Sequence, residues 1–298
     1  MVDDGSSDDT RTIAAGFADK DARFRVLSRE HAGIVSALNA GLSSCRAPLI
    51  ARLDADDLMS RRRLELQRAA LEADAKLAAV GCHPRLFPRR GLREGRLEYE
   101  RWLRSIRTPE DVAREAFIEC PIAHPTLMIR AELLARLAYR DLTWPEDYDL
   151  VLRLLAENER IGLVPLRLLH WRDGATRLSR TSARYSIPAF VACKAEFLAR
   201  GFLAAHGRYT LWGYGDTGKA LADALARLNK HPAAILELHP RRLGQWIRGV
   251  RVVAPETLPS LPRLPVIVSV AGRGPRAEIR AALTDMGFVE SRDYVCAA

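Results

Sequence analysis

Ala47-Pro-Leu-Ile-Ala51-Arg-Leu-Asp54-Ala-Asp56-Asp57 is the stretch that decides how this 298-residue chain reads. Its apolar start, Ala47 to Ala51, has the character of a short buried strand. Three carboxylates in four positions follow at once. Ser60 to Ala73 then has helical periodicity, with Ser60 placed to cap it. The acids therefore belong at the carboxyl end of a strand, where open α/β sheets form their ligand crevice. Carboxylates this close raise one another's pKa unless they share a cation. A hard divalent ion satisfies them, and Mg²⁺ is typically held by one or two carboxylates with substrate phosphates completing its shell. Asp54 and Asp56 are the expected metal ligands, for Mg²⁺ or Mn²⁺. Asp57 is expected to back them or to touch a bound sugar. An acidic turn that starts the next helix fits the same spacing equally well.

Working outward, composition is that of a globular protein: 48% apolar and 28% charged residues. The length suggests two domains. The net charge of +9 suits phosphorylated ligands or anionic lipid. The basic residues are spread, with small groups at Arg61 to Arg63, Arg89-Arg90 and Arg241-Arg242, and no aromatic residues interleave with them as base stacking requires. Nucleic acid is therefore not an expected partner. Five separated cysteines, without a Cys-x-x-Cys pair, argue against a zinc site or a disulfide framework and for a reducing compartment. No apolar run reaches bilayer length, and the acidic N-terminus lacks the form of a secretory leader. The expected setting is cytoplasmic, with peripheral association at the inner face of the membrane. Composition leaves the oligomeric state open.

Periodicity and turn residues give an α/β alternation. Helices are predicted after Asp8-Asp9, over 33–42, 60–73, 109–117, 147–157 and 185–200. Strands are predicted at 24–27, 47–51, 76–82, 124–130 and 161–171, with loops at 84–95 and 172–180. The pattern restarts after 204–208. Strand 209–212 leads into Gly213-Tyr-Gly215-Asp-Thr-Gly218-Lys219 and a helix, followed by strands at 233–238 and 266–270 and a closing helix over 275–286. The expected division is residues 1–204 and a small Rossmann-like βαβ domain over 205–298.

Val2-Asp-Asp-Gly-Ser-Ser-Asp-Asp-Thr10, Asp54-Ala-Asp56-Asp57, His124-Pro-Thr and Glu146-Asp147-Tyr-Asp149-Leu, in this order and spacing, resemble family 2 glycosyltransferases of the GT-A fold. The resemblance covers about residues 1 to 180. It implies a metal-dependent, inverting transfer from a nucleotide-diphosphate sugar, UDP-linked, to a hydroxyl of a saccharide or lipid-linked acceptor in polysaccharide or glycolipid synthesis. By the same resemblance Asp4, with Asp3 beside it, binds the nucleotide base. Asp54 and Asp56 hold the metal on the donor diphosphate, Asp147 is the catalytic base, and Glu146 contacts the acceptor. Arg172 and Arg177, on the loop after a strand, are candidates to clamp the diphosphate. His124 could approach the site or be structural; Trp144 could stack on an acceptor or fill the core.

The resemblance also has a gap. The family's first strand and helix normally precede the Asp3-Asp4 motif, whereas here Met1 already lies in the second strand. That first strand is central in the family's sheet, between the Asp4 and Asp54 strands. Its absence is expected to leave two rows of backbone groups unpaired or to force those strands together, with weakened donor binding and stability. In the second domain, Gly213, Gly215 and Gly218 fit the spacing of a dinucleotide turn, and Glu237 ends the next strand where a ribose-binding acid sits. A structural or regulatory role is expected to outweigh nucleotide binding there. Two rival functions stand beside the transferase: a non-catalytic nucleotide-binding protein that uses the glycine motif, and a nucleotidyltransferase.

Overall fold

A computed structural model describes residues 1–174 and 177–298. The chain opens with β1 (Val2–Asp3), α1 (Thr10–Ala18), β2 (Leu27–Ser28) and α2 (Ile34–Ser44). Next come β3 (Leu49–Ala51), β4 (Leu58–Met59), α3 (Arg63–Ala73), β5 (Leu77–Phe87), α4 (Glu94–Ser105) and α5 (Pro109–Glu115). After a 3₁₀ turn at His124–Thr126 follow β6 (Met128–Arg130), α6 (Ala131–Leu137), α7 (Glu146–Ala156), β7 (Arg160–Arg172), α8 (Leu178–Thr181) and α9 (Ile187–Arg200). The last part holds β8 (Arg208–Trp212), α10 (Asp216–Ala226), β9 (His231–Leu236), β10 (Trp246–Ile247), β11 (Val250–Val253), β12 (Val266–Val268), α11 (Arg273–Asp285) and β13 (Tyr294–Cys296).

The α/β class read from the sequence is the class observed. β5 is the spine of a five-stranded mixed sheet, order β3-β6-β5-β7-β4. Its first eight residues are all buried, as a strand covered on both faces requires. β5 runs through Pro84 to Phe87, where the sequence suggested a loop. The register shifts on either side of His83 accommodate the proline, which cannot donate to a regular ladder. The helix expected from Ser60 begins at Arg63 instead. Leu58 and Met59 pair with His170 and Leu169, and the Ser60 N–H bonds Leu168, so this stretch belongs to the sheet.

Among the described residues, β1 pairs only with β2 and β3 only with β6. The strands leading to Asp4 and Asp54 thus share no ladder; they are not drawn together.

A six-stranded sheet, order β10-β11-β9-β8-β12-β13, is parallel except at β10 and β11. Its order reverses at β8, so the glycine turn after β8 sits at a switch point. Gly213 has φ +93°, and a Cβ on Gly218 would stand 2.3 Å from the Gly213 carbonyl oxygen. Both positions need glycine so that α10 can pack closely on β8. α9 joins the two sheets: Cys193 lies in the core of the first, Val191, Ala195, Leu198 and Ala199 in the core of the second. Lys194, 7% exposed, crosses between them and donates to the Ile118 and Ala297 carbonyls at 2.8 and 2.9 Å.

Candidate active site

A cavity of about 620 Å³ opens at the carboxyl end of β3. Asp54 and Asp56 line it from the turn after that strand, and Glu146 and Asp147 line it from the first turn of α7. The side chains expected to hold a metal and to act as base therefore meet in one cavity, although they lie far apart in sequence.

Carboxylate oxygens of Asp54, Asp56 and Asp57 lie within 4.8 Å of one another, a separation that one hard cation can bridge. Asp54 is ion-paired with Arg52. Asp57 turns inward from the cavity and is 7% exposed. One of its oxygens accepts the Arg172 N–H at 2.7 Å, and the other is buried without a partner among the described residues. Burial first, then the charges of Asp54 and Asp56, pushes Asp57 up to about 6. An orphaned buried carboxylate oxygen beside two further acids is the chemistry a divalent cation relieves, so the residues present fit such an ion.

Asp147 is raised to about 7, chiefly by burial and next by the charge of Glu146. It accepts its neighbour Tyr148's N–H at 2.7 Å. Glu146, 2% exposed, accepts from the Tyr185 hydroxyl at 2.7 Å. Asp149, the third acid of the helix start, faces away into the body. It is fully buried between Arg140 and Arg153, and Trp144 Nε1 donates to it at 3.1 Å. Trp144 packs against the core and does not line the cavity. His124 does line it. Its Nε2 shares a 2.9 Å hydrogen bond with the Tyr139 hydroxyl, and burial holds it well below its ordinary pKa, as the neutral ring.

Basic and aromatic groups form the remaining polar wall. The Arg177 guanidinium stacks on Trp171 with 4.6 Å to the ring centre, and Arg96 lies over both Trp171 and Tyr99. Arg52 and Arg180 line the same wall. Nε of Arg52 and Nε1 of Trp171 are buried without a hydrogen-bond partner among the described residues, while Nε of Arg96 is ion-paired with Asp173 at 3.3 Å. Buried donors left unpaired each cost on the order of 1–3 kcal/mol, which an anionic ligand would recover.

Other expected residues stand outside this cavity. Arg172 is held over the Phe87 ring at 4.6 Å and donates to the Asp56 carbonyl at 2.8 Å, so it braces the acidic turn. Asp4 accepts the N–H groups of Ala32 and Gly33 at 3.2 and 2.9 Å, with Arg29 alongside at 3.5 Å. Asp3 accepts the Ser6 N–H at 3.1 Å. Neither aspartate lines the cavity. Glu237 is bound by Arg242 at 3.1 Å and by the Leu238 N–H at 3.0 Å. A Cβ on Gly215 would meet nothing within 4 Å, unlike one on Gly213 or Gly218. Thr217, from the same turn, reaches the cavity of the acids.

Sequence reading missed Arg52, Arg96, Arg180, Tyr99 and Trp171 as cavity residues. Arg52 carried a signal, because positions 52 and 54 share one face of an extended chain. Arg96 and Tyr99 carried none, since only the packing of α4 against β5 and β7 brings them there.

Residues 1–137 match the family model described as glycosyl transferase family 2. The putative glycosyltransferase EpsE of Bacillus subtilis (strain 168) is 32% identical over 193 residues, 63% of this chain and 66% of EpsE. The amylovoran biosynthesis glycosyltransferase AmsE of Erwinia amylovora is 25% identical over 182 residues, 60% of this chain and 66% of AmsE. The crystal structure of S. aureus TarS 1-349 in complex with UDP-GlcNAc superposes with a TM-score of 0.50 at 16% identity, covering 76% of this chain and 62% of TarS. The match to TarS carries the fold. The chain spans just under two thirds of the length of these relatives.

Proposed function

We propose that this chain, which belongs to glycosyl transferase family 2, transfers a sugar from a nucleotide-diphosphate donor to a hydroxyl acceptor with inversion. The observation that carries the proposal is that Asp54, Asp56 and Asp147 line one cavity with Arg52, Arg96, Arg177 and Trp171, where Arg52 Nε and Trp171 Nε1 have no hydrogen-bond partner among the described residues. Arg177 and Arg96, braced on aromatic rings, would hold the donor diphosphate, and Arg52 would orient Asp54. A divalent cation, Mg²⁺ or Mn²⁺, held by Asp54 and Asp56 would supply positive charge to the departing diphosphate. Asp147 would take the proton of the acceptor hydroxyl as its oxygen attacks the anomeric carbon from the side opposite the diphosphate. Glu146, fixed by Tyr185, would position the acceptor.

UDP is the first nucleotide to test, since TarS was crystallised with UDP-GlcNAc. A saccharide acceptor in polysaccharide assembly is consistent with the name of AmsE. Asp4 would reach the base only from outside the cavity, so the proposal does not depend on it. The proposed division of labour gives residues 1–204 the chemistry and 205–298 a structural part, in which Gly213 and Gly218 serve packing and Thr217 completes a cavity wall.

Calorimetric titration of UDP with Mn²⁺, set against NAD, tests this reading. UDP binding should require the metal and disappear in Asp54→Ala and Asp56→Ala. Binding of NAD alone would favour the nucleotide-binding rival. Release of pyrophosphate, instead of UDP, from a nucleotide sugar would favour a nucleotidyltransferase.

A further inference from the structure

The segment after β9 differs in character from the rest of the second sheet. Residues 238–251 read Leu238-His-Pro-Arg-Arg-Leu-Gly-Gln-Trp-Ile-Arg-Gly-Val-Arg251, with four arginines and no acid. Every residue from 238 to 246 is exposed. Leu238 is 67% exposed and Trp246 70%, in a class of side chains that folding ordinarily removes from water. Leu243, in the same segment, is also exposed.

The local geometry sets Trp246 and Arg251 on one side. Trp246 lies directly opposite Arg251 in the β10–β11 ladder, and Ile247 opposite Val250. Opposed residues of an antiparallel pair project from the same face. Trp246 and Arg251 therefore point together to solvent, while Ile247 and Val250 are half-buried on the other face. Arg248 and Gly249, with φ of +49° and +75°, form the tight turn between them. β10 is the edge of the sheet, and both side chains of the pair are exposed. Arg242 and Arg248 are neutralised by Glu237 and Asp223. Arg241 and Arg251 form no ion pair among the described residues and leave the patch positive.

We propose that this edge hairpin and the turn before it, Leu238 to Arg251, dock the protein peripherally on a membrane surface rich in anionic lipid. Trp246, Leu243 and Leu238 would enter the headgroup layer, where an indole satisfies both its apolar ring and its N–H. Arg241 and Arg251 would face lipid phosphates, and the overall charge of +9 adds attraction at longer range. A nucleic-acid surface would call for several stacking rings, whereas this patch offers one aromatic and two aliphatic side chains. Among the described residues no helix is long and apolar enough to cross a membrane.

Flotation of the full chain with vesicles tests the proposal, using pure phosphatidylcholine and an equal mixture with phosphatidylglycerol. The mixed vesicles should carry the protein, NaCl should release it, and pure phosphatidylcholine should not bind it. Trp246→Ala and Arg241→Glu/Arg251→Glu should each weaken partition by about fivefold or more, with unchanged circular dichroism and melting temperature. Equal binding to both vesicle types would overturn it. So would unchanged partition in the variants, or an oligonucleotide that binds with the same dependence on Trp246.

Discussion

Asp57 and Arg172, 115 residues apart in sequence, are joined by a 2.7 Å hydrogen bond from the Arg172 N–H to the Asp57 carboxylate. The bond ties the acidic turn after β3 to the end of β7, from which the Arg177 segment departs. At about pH 4, where the raised pKa does not yet penalise the wild type, Asp57→Ala should cost about 1–3 kcal/mol of stability, read by chemical denaturation, because it strands a part-buried donor. Asp57→Asn keeps an acceptor and should cost less. The sign of its pH dependence is also set. The folded value near 6 lies above the ordinary 3.8, so the native state holds the extra proton and loses this contribution as pH rises from about 4 to 6. The difference in stability between wild type and Asp57→Asn should therefore shift against the wild type across that window; a flat difference would refute the assignment.

Mg²⁺ or Mn²⁺ should stabilise the folded protein. At a hundredfold excess over its Kd an ion bound only by the native state adds about 2.7 kcal/mol, which appears as a rise in melting temperature. Asp54→Ala and Asp56→Ala should each remove the rise. A shift of equal size in both variants would mean that the ion binds elsewhere.

Asp147→Asn should lower kcat by about 10²- to 10⁴-fold and leave metal-dependent UDP binding intact, as expected for the loss of a general base. A base must be ionised, so kcat/KM should climb with pH around a midpoint near 7. Glu146 contributes to that elevation through its charge. Glu146→Gln should move the midpoint to lower pH, and a midpoint that stays put would remove Asp147 from the role.

Gly218→Ala should destabilise the second sheet by more than about 2 kcal/mol, since its Cβ would fall 2.3 Å from the Gly213 carbonyl oxygen and 2.4 Å from Ser269 Oγ. Gly215→Ala meets nothing within 4 Å and should stay within about 1 kcal/mol of wild type. Thermal melts of the pair separate packing glycines from one whose open space has another use.

Much of this was legible in the residues. The Asp54 turn, the α7 acids and the strands around them announce themselves through local pattern, and one cavity holds the side chains of Asp54, Asp56, Glu146 and Asp147. What stayed hidden depended on long-range placement. α4 begins inside an Arg- and Gly-rich run that reads as a loop, yet it supplies Arg96 and Tyr99. β10, β11 and β13 are too short for periodicity to reveal. Asp4 sits in a convincing motif, but its carboxylate is taken up by the backbone of Ala32 and Gly33. Sequence spacing cannot show that a local acceptor site has been filled.

The helix shared by both sheets sets how the molecule comes apart. With Cys193 in one core and Val191 and Leu198 in the other, α9 cannot leave either sheet without uncovering both. Heating should give a single cooperative endotherm, with no half-melted species to offer proteases a foothold between α9 and β8.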